Sequence, residues 1–188
     1  MRPPYNKSRA AIFLDRDGVI NENHEDYVLS WEQVRIIPGS LDALVRLAQT
    51  TYSIVIVTNQ SAIGRGHIKY DAINVINKRL INLIEQNNGR IDSLYLCPHA
   101  PDNKCKCRKP KPGLLLQAAR ELNIDLNRSW IVGDSITDIQ AGIAAGVRSI
   151  LVRSGRGASQ EPLCASQGLG HIPVLADLEL AVDYILAH

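Results

Sequence analysis

Short apolar runs rich in β-branched residues alternate with segments of helical period along this chain, and that alternation limits its fold more than any other feature. Residues 9–15 (RAAIFLD), 53–57 (SIVIV), 91–96 (IDSLYL), 129–134 (SWIVGD) and 149–152 (SILV) read as strands. Between and after them, 41–48, 69–87, 114–122, 137–145 and 176–187 read as helices with one apolar face. Within 69–87, for example, Ile73, Ile76, Leu80, Leu83 and Ile84 share one stripe. Strands linked through helices pair in parallel, because the helix carries the chain back to the end where the previous strand began. The pattern predicts an α/β fold with a doubly wound, mostly parallel sheet, built by residues 1–188 as one domain. The Gly- and Ser-rich stretch 154–170 reads as a loose loop, and the tail beyond 153 as little more than a docking helix.

Sheets of this kind bind ligands beyond the carboxyl ends of their strands. The residues there are Asp15-Arg16-Asp17-Gly18, Thr58-Asn59-Gln60-Ser61, Cys97-Pro98-His99 and Gly133-Asp134-Ser135. Two carboxylates at i and i+2 repel one another, and a divalent cation relieves the repulsion. Asp134 can add a third carboxylate, and Asp138 lies one helical turn further on. Such an oxygen set suits Mg²⁺. The alternative reading of Asp15 and Asp17 is as turn and cap residues, since Asp-Gly is a common turn pair. Thr58 and Asn59 offer hydroxyl and amide donors for phosphate oxygens. In RKPKPG (108–113), Arg108 supplies a fork and Lys109 a compact charge, on a loop that prolines stiffen.

Three of the four cysteines fall in one short stretch, CPHAPDNKCKC. Cys97, His99, Cys105 and Cys107 form C-x-H-x5-C-x-C, which suits a structural Zn²⁺ with all four positions filled by protein. The alternative is a group of reduced surface thiols. Cys164 stands apart as an ordinary unliganded thiol. A net charge of +2 without an extended basic patch points away from nucleic-acid and membrane-surface partners. No apolar run approaches the ~20 residues that span a bilayer. Residues 1–10 (MRPPYNKSRA) lack the apolar centre of a secretory leader, so the expected compartment is the cytoplasm, where disulfides are rare.

The order Asp15-x-Asp17-Gly18, Thr58-Asn59, Lys109-Pro110-x-Pro112 and Gly133-Asp134-x3-Asp138 resembles the haloacid dehalogenase (HAD) superfamily of phosphotransferases. More narrowly, FLDRDGVIN, VTNQSAIGRG, CPHAP and CKCRKPKPG are similar to the heptose bisphosphate phosphatases, with much shared by histidinol-phosphatase domains. The resemblance spans residues 9–153. It implies that Asp15 is the nucleophile and Asp17 the general acid, then base. Thr58 and Lys109 would hold the phosphoryl oxygens. Mg²⁺ would sit between Asp15, the Asp17 carbonyl and Asp134, with Asp138 orienting its neighbours. The zinc loop would stiffen residues 97–107 so that Arg108 and Lys109 project into the site. No large cap domain interrupts the chain. The implied partner is a small sugar bisphosphate, and the chain is expected to be a monomer. His24, Tyr27 and Gln60 would frame the sugar, with Arg65 and Arg108 meeting the second phosphate. Rival readings are a histidinol-phosphate phosphatase, a Mg²⁺-binding phospho-acceptor module and a zinc-ribbon nucleic-acid binder.

Overall fold

The computed structural model describes residues 8–188, so most of the stretch read as lacking a leader lies outside the described residues. Strands β1 (Ala11–Leu14), β2 (Ser53–Asn59), β3 (Ser93–Cys97), β4 (Trp130–Gly133), β5 (Arg148–Val152) and β6 (Val174–Leu175) form one sheet in the order β3-β2-β1-β4-β5-β6. Every pairing is parallel. The helices are α1 (Ser40–Ala48), the single turn α2 (Ser61–Gly64), α3 (Tyr70–Gln86), α4 (Gly113–Leu122), α5 (Ile136–Ala145), α6 (Gly157–Ser166) and α7 (Leu178–Ala187).

Strand β1 is buried throughout, as a central strand covered on both faces must be. Its side chains alternate between two cores. Ile12 and Leu14 join Ile54, Ile56, Val132 and Ile150, where Leu44 and Leu47 of α1 and Val182 and Ile185 of α7 close over them. Ala11 and Phe13 face the other way, with Val55, Val57 and Ile131 under Leu114, Leu115 and Ala118 of α4. In register, Leu14 pairs with Ile56 on one side and Val132 on the other. The residues that follow β1, β2 and β4 therefore emerge side by side at one edge.

Two expectations need correction. The stretch 154–170 is not a loose loop: residues 157–166 form α6, whose Cys164 is buried with Ile139 and Leu151. Gly157 is there for packing, because a Cβ would lie 1.6 Å from the Val152 carbonyl oxygen. The helix escapes a periodicity reading because its only well-buried side chain is a lone cysteine, while Leu163 faces solvent. The sheet also has a sixth strand, the two-residue β6 paired to Leu151 and Val152, too short to leave a pattern. No helix among the described residues is long and apolar enough to cross a membrane.

Candidate active site and metal centres

Asp15 follows the central strand directly, its N–H held by the Val132 carbonyl at 3.0 Å. Asp134 follows β4, and α5 begins two residues later with Ser135 as its cap. The Asp138 carboxylate accepts the Ser135 N–H at 3.1 Å, closing a capping box that points Asp138 back toward the sheet edge. Lys109 arrives from the loop before α4 and is 2 % exposed. Its Nζ reaches Asp15 Oδ1 at 3.0 Å, Asp138 Oδ1 at 2.5 Å and the Val57 carbonyl at 2.7 Å. A cleft of about 220 Å³ opens over this group, lined among others by Asp15, Asp17, Thr58, Lys109, Asp134 and Asp138.

The electrostatics follow from burial and proximity. Burial pushes Asp15 up to about 6, helped by Asp138 and Asp17 and opposed by Lys109. Burial and the Asp15 charge likewise push Asp134 up to about 6. Burial also raises Asp138, against the pull of Lys109. For Lys109 burial works against the charge, but Asp138 and Asp15 outweigh it and hold the ammonium above the ordinary lysine range. Asp17 is different. Burial would raise it, yet its carboxylate accepts Arg16 Nε and Nη2 at 3.0 and 2.8 Å, Asn21 Nδ2 at 2.8 Å and Gln60 Nε2 at 2.9 Å, and lies below the usual range. Arg16 is itself buried and fixed by Asn77 Oδ1 at 2.7 Å.

The acidic group fits a divalent cation. Asp15, Asp134 and Asp138 can bring carboxylate oxygens within 4.8 Å of one another. Lys109 and the Ser135 N–H take up the two Asp138 oxygens, which makes Asp138 the support of Lys109. Among the described residues Asp15 is bonded only through Oδ1, to Lys109 and the Arg16 N–H, and Asp134 only through Oδ2. Each therefore keeps one free oxygen. The Asp17 carbonyl has no backbone partner among the described residues, since the turn's backbone bonds run from Asn21 N to Arg16 O and from Gly18 N to Asn21 O. The free Asp134 oxygen and the Asp17 carbonyl, with an Asp15 carboxylate oxygen beside them, are what a hard cation needs at a strand edge.

Cys97, His99, Cys105 and Cys107 form a second cluster that can hold a metal. The Cys97 sulfur lies 3.5 Å from His99 Nδ1, 3.6 Å from Cys105 and 3.2 Å from Cys107. Cys107 lies 3.3 Å from His99 Nδ1 and 3.5 Å from Cys105. A tetrahedral zinc with bonds of about 2.3 Å to sulfur spaces its ligands about 3.7 Å apart, close to these values. Burial and the neighbouring sulfurs push the Cys97 thiol up to about 12, so the three sulfurs cannot all ionise at these distances without a cation among them. Cys97 pairs with Asn59 in the sheet, which joins the cluster to the site by one strand register.

The remaining sequence-derived residues divide into two groups. Thr58 accepts Gln60 Nε2 at 2.9 Å, leaving its own hydrogen for another acceptor. His24, Tyr27 and Arg108 line the cleft. Arg108 is tethered to the His99 carbonyl at 3.4 Å, and Tyr27 stacks on His67 at 5.8 Å between centroids. Asn59, expected to meet phosphate, also lines the cleft and exchanges two hydrogen bonds with the Lys109 backbone, both 3.1 Å. It positions the lysine. Gln60 likewise spends its amide on Asp17 and Thr58. Arg65 does not line the cleft; it caps α2 and faces solvent.

Sequence reasoning missed several contributors. Asn23 Nδ2 holds Asp134 Oδ2 at 2.6 Å, and the Arg156 N–H holds the same oxygen at 2.8 Å. The Ser154 hydroxyl donates to the Gly18 carbonyl at 2.7 Å. Gly18 (φ +91°) and Gly155 (φ +60°) let these backbones touch: a Cβ on either would lie 2.0 or 2.4 Å from Asp134 Oδ2. Asn23 sits close enough to the Asp-x-Asp turn to have been suspected; nothing local marks Arg156.

A HAD-hydrolase-like family profile matches residues 106–178. The D-glycero-beta-D-manno-heptose-1,7-bisphosphate 7-phosphatase of Pseudomonas aeruginosa is 40% identical over 150 residues, covering 80% of this chain and 84% of that protein. The protein of the same name from Yersinia pestis is 39% identical over 188 residues, covering 96% and 91%. The crystal structure of a D,D-heptose 1,7-bisphosphate phosphatase from Bordetella bronchiseptica, complexed with magnesium and phosphate, superposes with a TM-score of 0.88 at 37% identity, covering 95% of this chain and 98% of that one.

Proposed function

Because the chain belongs to the HAD-like D-glycero-beta-D-manno-heptose-1,7-bisphosphate 7-phosphatases, we propose that its cleft removes the 7-phosphate of that sugar bisphosphate through a phosphorylated Asp15. The observation that carries the reading is the Asp15 carboxylate. One of its oxygens is neutralised by Lys109, the other is free, and Thr58, Lys109 and Asp134 converge around it.

The free Asp15 oxygen attacks phosphorus, the bond from phosphorus to the sugar oxygen breaks, and that oxygen takes a proton from Asp17. A water then attacks phosphorus, the acyl-phosphate bond breaks, and Asp17 takes the water's proton as inorganic phosphate leaves. In the arrangement described here four donors keep Asp17 ionised. It carries a proton only once drawn out of that cradle toward the leaving oxygen. Lys109 and the Thr58 hydroxyl hold phosphoryl oxygens as charge develops on them. The Asp15 oxygen that does not attack, the Asp17 carbonyl and Asp134 would hold Mg²⁺, which supplies further charge neutralisation at the phosphoryl group when bound.

Four carboxylates (Asp15, Asp17, Asp134, Asp138) face two buried cations (Arg16, Lys109), an excess of two negative charges that a divalent ion cancels. The phosphate that is not cleaved needs countercharge of its own. Arg108 and Arg156 line the cleft and form no ion pair among the described residues. We assign them to that second phosphate, with Arg156 in the place expected of Arg65. Phosphate release from the heptose 1,7-bisphosphate, its 7-monophosphate and histidinol phosphate, measured side by side with Mg²⁺, tests both points. The bisphosphate should have the highest kcat/KM. Arg156→Ala should lower it about 10- to 100-fold for the bisphosphate and barely touch the monophosphate. Preference for histidinol phosphate would overturn the substrate; equal losses on both sugars would remove Arg156 from that role.

The sulfur cluster is proposed as a structural zinc site, which requires reduced thiolates and so favours a cytoplasmic setting. Zinc would fix the loop that delivers Arg108 and Lys109. Protein purified without chelator should contain zinc, and stripping it should lower kcat/KM while far-ultraviolet circular dichroism stays that of the folded domain. Undiminished activity after complete zinc removal would disconnect the loop from the site.

A further inference from the structure

The opposite end of the sheet gathers a second set of charges. Arg9 precedes β1, Arg90 lies ahead of β3, Arg128 precedes β4 and Arg148 opens β5. The strand order places β3, β2, β1, β4 and β5 next to one another, so four distant parts of the chain bring an arginine to one edge. With Ser8, Thr50, Thr51 and Tyr52 they line a concavity of about 750 Å³. It is separate from the catalytic cleft, because β1 begins at this edge and Asp15 follows its far end.

The four guanidinium groups are not equivalent. Arg90 is committed: it grips Asp92 at 2.9 and 3.0 Å and donates to the Thr50 and Tyr52 carbonyls. It braces the rim. Arg148 lies over the face of Trp130, 3.8 Å from the ring centroid, which fixes its plane and leaves its N–H edges available. Arg9, Arg128 and Arg148 form no ion pair among the described residues, and no carboxylate lines the concavity. Three like charges around four hydroxyl-bearing residues, with no acidic partner, is an arrangement that an anion stabilises.

We propose that this concavity is a binding site for a small anion carrying two or more linked phosphates. Adjacent strands are about 4.8 Å apart, so the arginines of β1, β4 and β5 extend across roughly 10 Å. A di- or triphosphate matches that span better than a single phosphate does. The volume lies within the ~300–1,000 Å³ usual for small-ligand sites. The charge is confined to one hollow, whereas a nucleic-acid surface needs an extended basic stripe. Fork-shaped guanidinium donors match phosphate oxygens two at a time.

The test is a titration followed through backbone amide signals in two-dimensional NMR, with Mg²⁺ absent, using tripolyphosphate, ATP, orthophosphate and sodium chloride at equal ionic strength. Residues 8–10, 50–52, 128 and 148 should shift and saturate with tripolyphosphate and with ATP. Tighter binding of ATP would point to a nucleotide, and equal binding to the phosphates alone. Orthophosphate should bind at least about 10-fold more weakly, as expected when one charged contact is lost. The Arg128→Gln/Arg148→Gln double variant should lose these shifts while keeping those of residues 15–18, 58–60 and 108–109, with kcat/KM unchanged. Arg148→Lys, which keeps the charge and loses the fork, should weaken binding on its own. Shifts confined to the catalytic cleft, equal shifts from sodium chloride, or shifts that persist in the variants would overturn the proposal.

Discussion

Asp15→Asn should reduce phosphate release by at least about 10⁴-fold, the scale seen when a nucleophile is removed from a catalytic unit. The amide matches the carboxylate in shape but is neutral and has no oxygen basic enough to attack phosphorus. Thr58 and Lys109 remain in place, Lys109 still being held by Asp138 and the Val57 carbonyl, so substrate should still bind. Acid-quenched wild-type enzyme should carry phosphate on Asp15 and the variant none. The same substitution removes one anion from a crowded acidic group in which burial already raises Asp15 to about 6. A raised carboxyl pKa means that ionised Asp15 opposes folding above its unfolded value near 4. The metal-free variant should therefore melt at or above the wild-type temperature at neutral pH. Near-normal turnover in this variant would rule out an aspartyl-phosphate.

Lys109→Met should have the largest effect on stability. Lys109 is 1 % exposed at its side chain, and methionine nearly fills its volume while removing the charge. Asp138 would then stay buried without its cation, a loss of about 3–5 kcal/mol for a broken buried ion pair. For a chain of this size the melting temperature should fall on the order of 10 °C. Activity should fall about 10²- to 10³-fold through lost stabilisation of phosphoryl charge. The double variant Lys109→Met/Asp138→Asn separates the two effects. Neutralising Asp138 should recover most of the stability and none of the activity. If calorimetry shows the double variant as unstable as the single one, the ion pair is not the source of the loss.

Much of the architecture was legible along the chain. The burial of β1, β2 and β4 on both faces forces near-continuous apolar runs, and the helices between them carry a 3.6-residue stripe, so strand and helix placements hold to within a few residues. The Asp-x-Asp turn, Thr58, Lys109 and Asp134 were also visible, because chemistry at strand ends uses short polar clusters that interrupt apolar runs. Helix α6 was not. α6 is held by Cys164 and by a glycine packed onto a carbonyl, neither of which leaves a periodic trace.

The chain order of strands, helices and polar ends determined the fold class, the acidic edge and the composition of the sulfur cluster, because each depends on local spacing and side-chain chemistry. Only the folded arrangement decided which groups are spent and which are free. Asn59 is taken up by the Lys109 backbone, Gln60 by Asp17 and Thr58, and Asp138 by Lys109, whereas Arg156, remote in sequence, is set beside Asp134. A side chain's role depends on whether its hydrogen-bonding capacity is already used, and that is fixed by neighbours brought together across the sheet.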